Sequence, residues 1–307
     1  MAESGLPPDV TATVMTVGSF DGVHRGHQDV LGRLVARGRE RGLPTVLVTF
    51  EPHPLEVVNP VAAPPLLTVG DEKVEVLVES GIDYLAVVPF TPALAALDAA
   101  AFVDRVLVER FRVAHLLMGH DHAFGRNRAG NPEVLRQLGE TRGFSVEVVT
   151  AVTGGGGHPI SSTFLRRAVA GGDLARAAEG LGRPYSVGGR VVAGAQRGRL
   201  LGFPTINVPV LSPRKLLPPL GVYAVRVQTP QGAYGGMMNL GGRPTFGDPE
   251  VSLEVHLFDA AGDFYDRRVR IDFVARLRAV ERFASPEALV AQLRRDEVAA
   301  RAALATT

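Results

Sequence analysis

The chain has no cysteine among its 307 residues, which excludes disulfides, thiolate metal sites and cysteine nucleophiles together. It also lacks an excess of either charge. Lys and Arg number 33 against 32 Asp and Glu, so no overall basic field draws nucleic acid, and an anionic ligand has to be held by a local arrangement of groups. No apolar run approaches the roughly 20 residues that span a bilayer. The first ten residues carry Glu3, Pro7, Pro8 and Asp9 in place of a basic stretch followed by an apolar one, so they do not resemble a signal peptide. The expectation is a cytoplasmic protein that binds small molecules, with neither a membrane nor a nucleic-acid partner; monomer and weak homo-oligomer both stay open. What is present, 46% hydrophobic and 21% charged residues, suits a globular chain with two domains.

Short β-rich apolar runs at Thr13–Val17, Thr45–Phe50, Tyr84–Val88, His115–Met118 and Ser145–Val149 alternate with helical stretches at Gln28–Arg41, Asp71–Ser80, Ala99–Arg110 and Glu133–Arg142. Strands that run apolar without alternation are buried on both faces, so this βαβ series predicts a Rossmann-like α/β domain with a parallel sheet and ligands at the carboxyl ends of its strands. Two further helical segments, Phe164–Ala170 and Leu174–Leu181, follow a four-glycine run at Gly154–Gly157. From Tyr185 the texture changes to strands between Gly and Pro turns: Ser186–Val192, Val222–Val227, Tyr234–Asn239, Ser252–Phe258 and Arg268–Phe273, then one helix, Pro286–Ala303. A six-stranded antiparallel β-barrel with a terminal helix is expected there, with domains at 1–182 and 183–307.

Gly18-Ser19-Phe20-Asp21-Gly22-Val23-His24-Arg25-Gly26-His27 follows the first strand and opens the first helix, a place where backbone N–H groups and the helix dipole favour phosphate. His24 and His27, three residues apart, suit stabilisation of charge growing on a leaving pyrophosphate. The same residues also suit a tight strand-to-helix turn with two surface histidines. Hydroxyls in Ile160-Ser161-Ser162-Thr163-Phe164-Leu165-Arg166 suit either a helix cap or phosphate contacts. Further on, Gly198-Arg199-Leu200-Leu201-Gly202-Phe203-Pro204-Thr205-Ile206-Asn207 reads as a loop entering a short strand, with Thr205 and Asn207 on one face. A Glu on a strand, such as Glu254, is by itself most often a solvated residue.

Taken in order, these segments resemble two families. The Gly-x-Phe-Asp-Gly-Val-His-x-Gly-His form, Thr49-Phe50-Glu51-Pro52-His53-Pro54 and Ile160 to Arg166 are similar to FAD synthetases of the nucleotidyltransferase superfamily. The stretch from Gly202 to Asn207, then Pro219 to Ala224, Asn239 to Thr245 and Glu254 to Phe258, resembles riboflavin kinases. The resemblance implies a bifunctional enzyme that phosphorylates riboflavin to FMN with ATP and Mg²⁺, then adenylylates FMN to FAD. One active domain alone, or a flavin-binding regulator, are the alternatives.

By resemblance, His24 and His27 are catalytic for adenylyl transfer. Gly18, Phe20, Gly26, Asp121, Ser162, Thr163 and Arg166 bind ATP, and Phe50, Pro52, His53 and Phe124 line the flavin and ATP pocket. In the kinase half, Glu254 is the base, Thr205 and Asn207 hold Mg²⁺, Gly202 and Arg199 lie near phosphate, and Arg278 and Phe283 face the flavin. The His120-Asp121-His122 run is not read as a metal site, because alternate residues of an extended strand end face opposite ways. The chain departs from the family pattern at Pro159, where a basic residue is common, and at His122, Asp266 and Val280, in place of Phe, Gly and Glu. Fewer phosphate contacts and an altered flavin loop are the expected effects.

Overall fold

Apolar runs without polar alternation become buried parallel strands in the first half of the chain. In this computed structural model, which describes residues 5–119, 125, 130–150, 152–153, 159–194, 197–242 and 251–306, the chain packs as two units. One holds residues 1–64 and 73–161, the other residues 65–72 and 162–307.

The first unit is built on β1 (Thr13–Val17), β2 (Thr45–Glu51), β3 (Tyr84–Pro89), β4 (Val113–Gly119) and β5 (Ser145–Val149), in the order β3-β2-β1-β4-β5 and parallel throughout. Successive residues point to opposite faces. Met15, Val48 and Leu116 join Phe102 and Leu107 in one core, whereas Val14, Leu47 and Leu117 join Leu31, Leu34 and Leu77 in the other. The order reverses between β1 and β4, which opens a crevice at their carboxyl ends, and the chain leaving β1 there is the Gly18–His27 loop. Ala99–Arg110, expected as one α-helix, is an α-helical turn over Ala99–Phe102 that continues as π-helix over Val103–Arg110. The wider winding runs into Phe111, whose N–H donates to the Val106 carbonyl five residues back, and Val103, Val106 and Leu107 are buried along it.

In the second unit β6 (Ser186–Arg190), β7 (Ile206–Pro209), β8 (Gly221–Thr229), β9 (Gly232–Gly242), β10 (Val251–Leu257) and β11 (Arg268–Arg278) form one antiparallel sheet in the order β6-β11-β8-β9-β10-β7. Just past β6, the Val192 N–H donates to the Asn207 carbonyl at 2.8 Å, so the first and last strands nearly meet and the sheet is an almost closed barrel. The helix Pro286–Ala305, capped by Ser285, packs Ala300 into the barrel-side core with Phe203, Met237 and Phe258.

Two differences from the sequence expectation involve candidate site residues. Strand β11 runs on to Arg278, with register shifts at Phe273/Ala275 and Arg276/Arg278 that interrupt the period-two pattern by which a strand is read. β7 begins at Ile206, one residue after Thr205, which directly follows Pro204, a residue with no N–H for a ladder.

A buried ion pair fixes the start of β6. Lys215 Nζ donates to Glu72 Oε2 at 2.6 Å and to the carbonyls of Leu67 and Ser186, both at 2.8 Å, and Glu72 Oε1 accepts from the Gly188 N–H at 2.7 Å.

Candidate active sites

In the first unit the loop after β1 is tied down at its base: Gly18 N–H donates to the Val48 carbonyl at 3.0 Å, and Thr49 Oγ1 donates to the Ser19 carbonyl at 3.2 Å. Phe20 and Val23 adopt left-handed φ of 47° and 40°, a conformation costly for side-chain-bearing residues and characteristic of loops shaped for a ligand. The Phe20 ring is buried in the core. His24 caps the helix Arg25–Arg41, its Nδ1 accepting from the His27 N–H at 3.3 Å. That acceptor role places the proton of a neutral His24 on Nε2. The two imidazoles stack at 3.7 Å between centroids, 16° from parallel, and Phe20 lies 4.8 Å from His27. The pair expected from its spacing is thus one stacked unit at a helix N-terminus. A Cβ at Gly26 would stand 3.2 Å from the His24 ring, so a larger residue there would push on the stack.

At the end of β2, Phe50 is buried edge-on to Phe90, with centroids 5.3 Å apart. After the cis Glu51–Pro52 peptide, His53 caps the turn Pro54–Val58: its Nδ1 accepts from the Leu55 N–H, and its own N–H donates to Glu56 Oε1. Lys73, which no motif singles out, is buried in the helix Gly70–Val78, its Nζ 3.5 Å from the Phe50 carbonyl. Burial pulls its ammonium down to about 8, against Glu51 and Asp21, whose charges hold it up. Asp121 and Phe124, with His120 and His122, lie outside the described residues. Among the described residues no group of three or more His, Asp or Glu could by itself hold a metal.

The helix Ser162–Ala170 of the second unit starts two residues before its expected first residue, Phe164, with Ser162 and Thr163 in its first turn and Arg166 partly buried one turn on.

In the barrel, strand register sets Glu254 of β10 between Asn207 of β7 and Asn239 of β9. A cavity of about 350 Å³ brings together Glu254, Asn239, Thr205, Arg278 and Phe283, with Met237, Met238 and Leu293 supplying apolar wall. A second cavity, of about 360 Å³, is lined by Thr205, Arg199, Pro204, Phe264 and Tyr265. Thr205 is common to both. Asn207 is buried at the barrel seam beneath Gly194, where a Cβ would come within 2.1 Å of its carboxamide. Gly202 turns with φ 82° ahead of Phe203. Among the departures from the family pattern, Val280 lines the Glu254 cavity while half exposed, and Asp266 has φ 57°, the left-handed conformation that glycine adopts freely.

Two residues of this cavity region are not among those the motifs single out, although His256 lies within the Glu254 to Phe258 stretch. Asp296 of the terminal helix receives the Arg278 guanidinium, and His256, two residues beyond Glu254 on the same strand face, bonds the Pro204 carbonyl through Nδ1 at 2.8 Å, next to Thr205.

The chain matches the FAD synthetase family over residues 6–164 and the riboflavin kinase family over residues 181–304. It is 43% identical over 298 residues to a bifunctional riboflavin kinase/FMN adenylyltransferase of Pseudomonas fluorescens, covering 97% of this chain and 94% of that protein. The protein of the same description from Escherichia coli K12 is also 43% identical, over 289 residues, 94% of this chain and 91% of that one. Among solved structures, a Streptococcus pneumoniae chain described as a macrolide-efflux protein superposes with TM-score 0.84 at 30% identity, covering 97% of this chain and 96% of that one.

Proposed function

The chain belongs to the bifunctional riboflavin kinase/FMN adenylyltransferase family, and from that premise we propose how its residues divide the work. It phosphorylates riboflavin to FMN with ATP, and it adenylylates FMN to FAD with release of pyrophosphate. Residues 1–182 carry the adenylyl transfer and residues 183–307 the kinase.

The kinase assignment rests on one observation above all: the cavity that holds Glu254, Arg278 and Phe283 and the cavity that holds Arg199 share Thr205 as a wall. An acceptor in the first and a nucleotide in the second would present their reacting atoms to each other at that residue. Glu254 takes the proton from the ribityl 5′-hydroxyl as its oxygen attacks the γ-phosphorus and ADP leaves. Arg278 and Phe283 border the flavin, and Gly202 and Arg199 border the phosphates. The Thr205 hydroxyl and Asn207 carboxamide are the neutral oxygen donors that a hard cation accepts, with the Glu254 carboxylate in register with Asn207. They fit Mg²⁺ arriving with ATP, whose part is to shield phosphate charge.

In adenylyl transfer an FMN phosphate oxygen attacks the α-phosphorus of ATP, a step that depends on positioning and charge neutralisation more than on a protein nucleophile. The His24 and His27 stack at the helix N-terminus supports a role on the departing pyrophosphate, and Gly18, Phe20 and Gly26 supply backbone to the same phosphates. Ser162, Thr163 and Arg166 are assigned to ATP on their motif, as are Asp121 to ATP and Phe124 to the flavin. Phe50, Pro52 and His53 form the flavin side at the end of β2. A cytoplasmic location, with no nucleic-acid or membrane partner, completes the reading; the even charge balance supports it, and among the described residues no helix is long and apolar enough to cross a membrane.

The test is a chromatographic time course with riboflavin, ATP and Mg²⁺, repeated with EDTA and with FMN as the starting flavin. FMN rising before FAD, both dependent on Mg²⁺, is the expected result. Formation of FMN at full rate in EDTA would remove the metal assignment to Thr205 and Asn207.

A further inference from the structure

The loop Gly18–His27 presents a difficulty for the polyphosphate it is assigned. Asp21, in its middle, is only 3% exposed, and a buried carboxylate within a phosphate-binding loop repels the ligand unless a cation balances it.

Lys73 stands in the right place. It is 8% exposed, its Nζ lies against the Phe50 carbonyl at the carboxyl end of β2, and the charges it feels are those of Glu51, on the same strand end, and Asp21. A buried lysine is costly to keep charged, and on a helix surface lysine ordinarily extends into water. Here the ammonium stays inside, at the edge of the sheet where β1 and β2 release the two segments that carry the adenylyl-transfer residues. Its titration near 8 leaves it mostly protonated at neutral pH.

We propose that Lys73 is a positioning residue for adenylyl transfer: its buried ammonium offsets the Asp21 carboxylate and holds the end of β2, so that the Gly18–His27 loop accepts the phosphates of ATP. The inference rests on the reading of that loop as the phosphate site. It gives Lys73 no role in the kinase reaction, and it makes Asp21 the reason a cation is needed.

The experiment measures FAD formation from FMN over a range of ATP concentrations, for the wild type, Lys73→Met, Lys73→Arg, the double variant Lys73→Met with Asp21→Asn, and His27→Ala. Riboflavin phosphorylation is followed in each as the readout of a folded chain. Lys73→Met is expected to raise KM for ATP by about tenfold or more, a change of one decade or above in apparent affinity, with a smaller effect on kcat. Lys73→Arg, which keeps the charge, should stay within about threefold of wild type, and removing the Asp21 charge in the Lys73→Met background should recover most of the lost affinity. An unchanged KM in Lys73→Met, beside a His27→Ala variant that makes no FAD, would overturn the proposal and leave the phosphate loop standing. Failure of Asp21→Asn to restore affinity, or loss of both activities in Lys73→Met, would overturn it as well, the latter by showing a purely structural role. Full FAD formation by His27→Ala would remove the loop reading itself.

Discussion

The Arg278 guanidinium meets the Asp296 carboxylate side-on, Nε to Oδ1 at 2.9 Å and Nη2 to Oδ2 at 2.7 Å, where the last barrel strand passes the terminal helix. Gln292, one turn earlier on that helix, donates to the same carboxylate at 2.8 Å, and the Phe283 ring lies 5.6 Å from the guanidinium carbon. Arg278 therefore borders the Glu254 cavity with its charge already paired. Asp296 holds it there, and through it the Phe283 ring.

Replacing Asp296 should act on both stability and the kinase. Removing one member of a buried pair strands the other, at a cost of about 3 kcal/mol. Asp296→Ala is expected to destabilise the barrel by that order in denaturant unfolding, and to raise KM for riboflavin while leaving FAD formation from supplied FMN near wild type. The double variant Arg278→Met with Asp296→Ala should lose less stability than the two single changes added together. Additive losses would mean that the pair is not coupled.

The two activities should separate by mutation. His27→Ala removes half of the imidazole stack and is expected to abolish FAD formation while FMN formation persists; Glu254→Ala should stop FMN formation while supplied FMN still becomes FAD. Loss of a general base, or of a group that stabilises the leaving charge, costs about 100-fold or more in such steps. Chromatography of the three flavins reads both outcomes, and one substitution silencing both reactions in a folded protein would contradict two independent sites.

Much of this was legible from local pattern. Strands β1 and β5 have the limits their apolar runs gave: β1 is buried along its whole length, as a central strand of a parallel sheet is, and β5, the edge strand, is read from its valines although it is only partly buried. The motif residues Thr205, Glu254, Arg278 and Phe283, spread over nearly 80 residues of sequence, do converge on one cavity. What could not be read were the groups whose meaning lies in a distant partner. Lys215 and Glu72 are 143 residues apart, and Lys73 and Phe50 are 23 apart. A lysine or aspartate on an amphipathic helix, such as Lys73 or Asp296, has the signature of a solvated face until the packing shows it turned inward.

His115 gives the first unit a dependence on pH. It is buried in β4, with Nδ1 2.7 Å from Ser145 Oγ and Nε2 3.3 Å from Glu147 Oε2, and Arg37 donates to that same carboxylate at 2.7 Å. Burial lowers its pKa, the charges of Arg41 and Arg37 lower it further, and Glu147 opposes them. The unfolded chain titrates this imidazole near its ordinary value of about 6.5. Above that pH both states are neutral and the contribution is complete; as pH falls through about 6.5 the unfolded state takes up the proton first, and stability is lost. Glu147, held low chiefly by its hydrogen bond to Arg37, contributes in the opposite group of carboxylates and loses its part only in more acid solution. Unfolding measured between about pH 7.5 and 5.5 should therefore show a decline in the wild type that is flatter in His115→Gln. Equal slopes would exclude His115 as the cause.

Asp266 occupies a position where the family pattern has glycine, and its φ of 57° explains the preference. A left-handed conformation costs an ordinary L-residue about 1–2 kcal/mol, glycine nothing, and aspartate an intermediate amount. Its neighbours hold it by backbone: the Asp266 N–H donates to the Val191 carbonyl at 2.9 Å, and Arg190 Nη1 donates to the Asp266 carbonyl at 2.9 Å. Both contacts survive any side-chain change that keeps the turn. The carboxylate lies 3.6 Å from Arg190, but both side chains are well exposed, so that pair contributes little. Asp266→Gly is therefore expected to leave the barrel as stable as wild type or up to about 1 kcal/mol more stable. Asp266→Val, β-branched and poorly suited to this conformation, should lose about 1–2 kcal/mol. Chemical denaturation followed by far-UV circular dichroism measures both. A valine variant as stable as the glycine one would show that the turn gives up its left-handed residue freely, and that the departure from glycine carries no conformational cost.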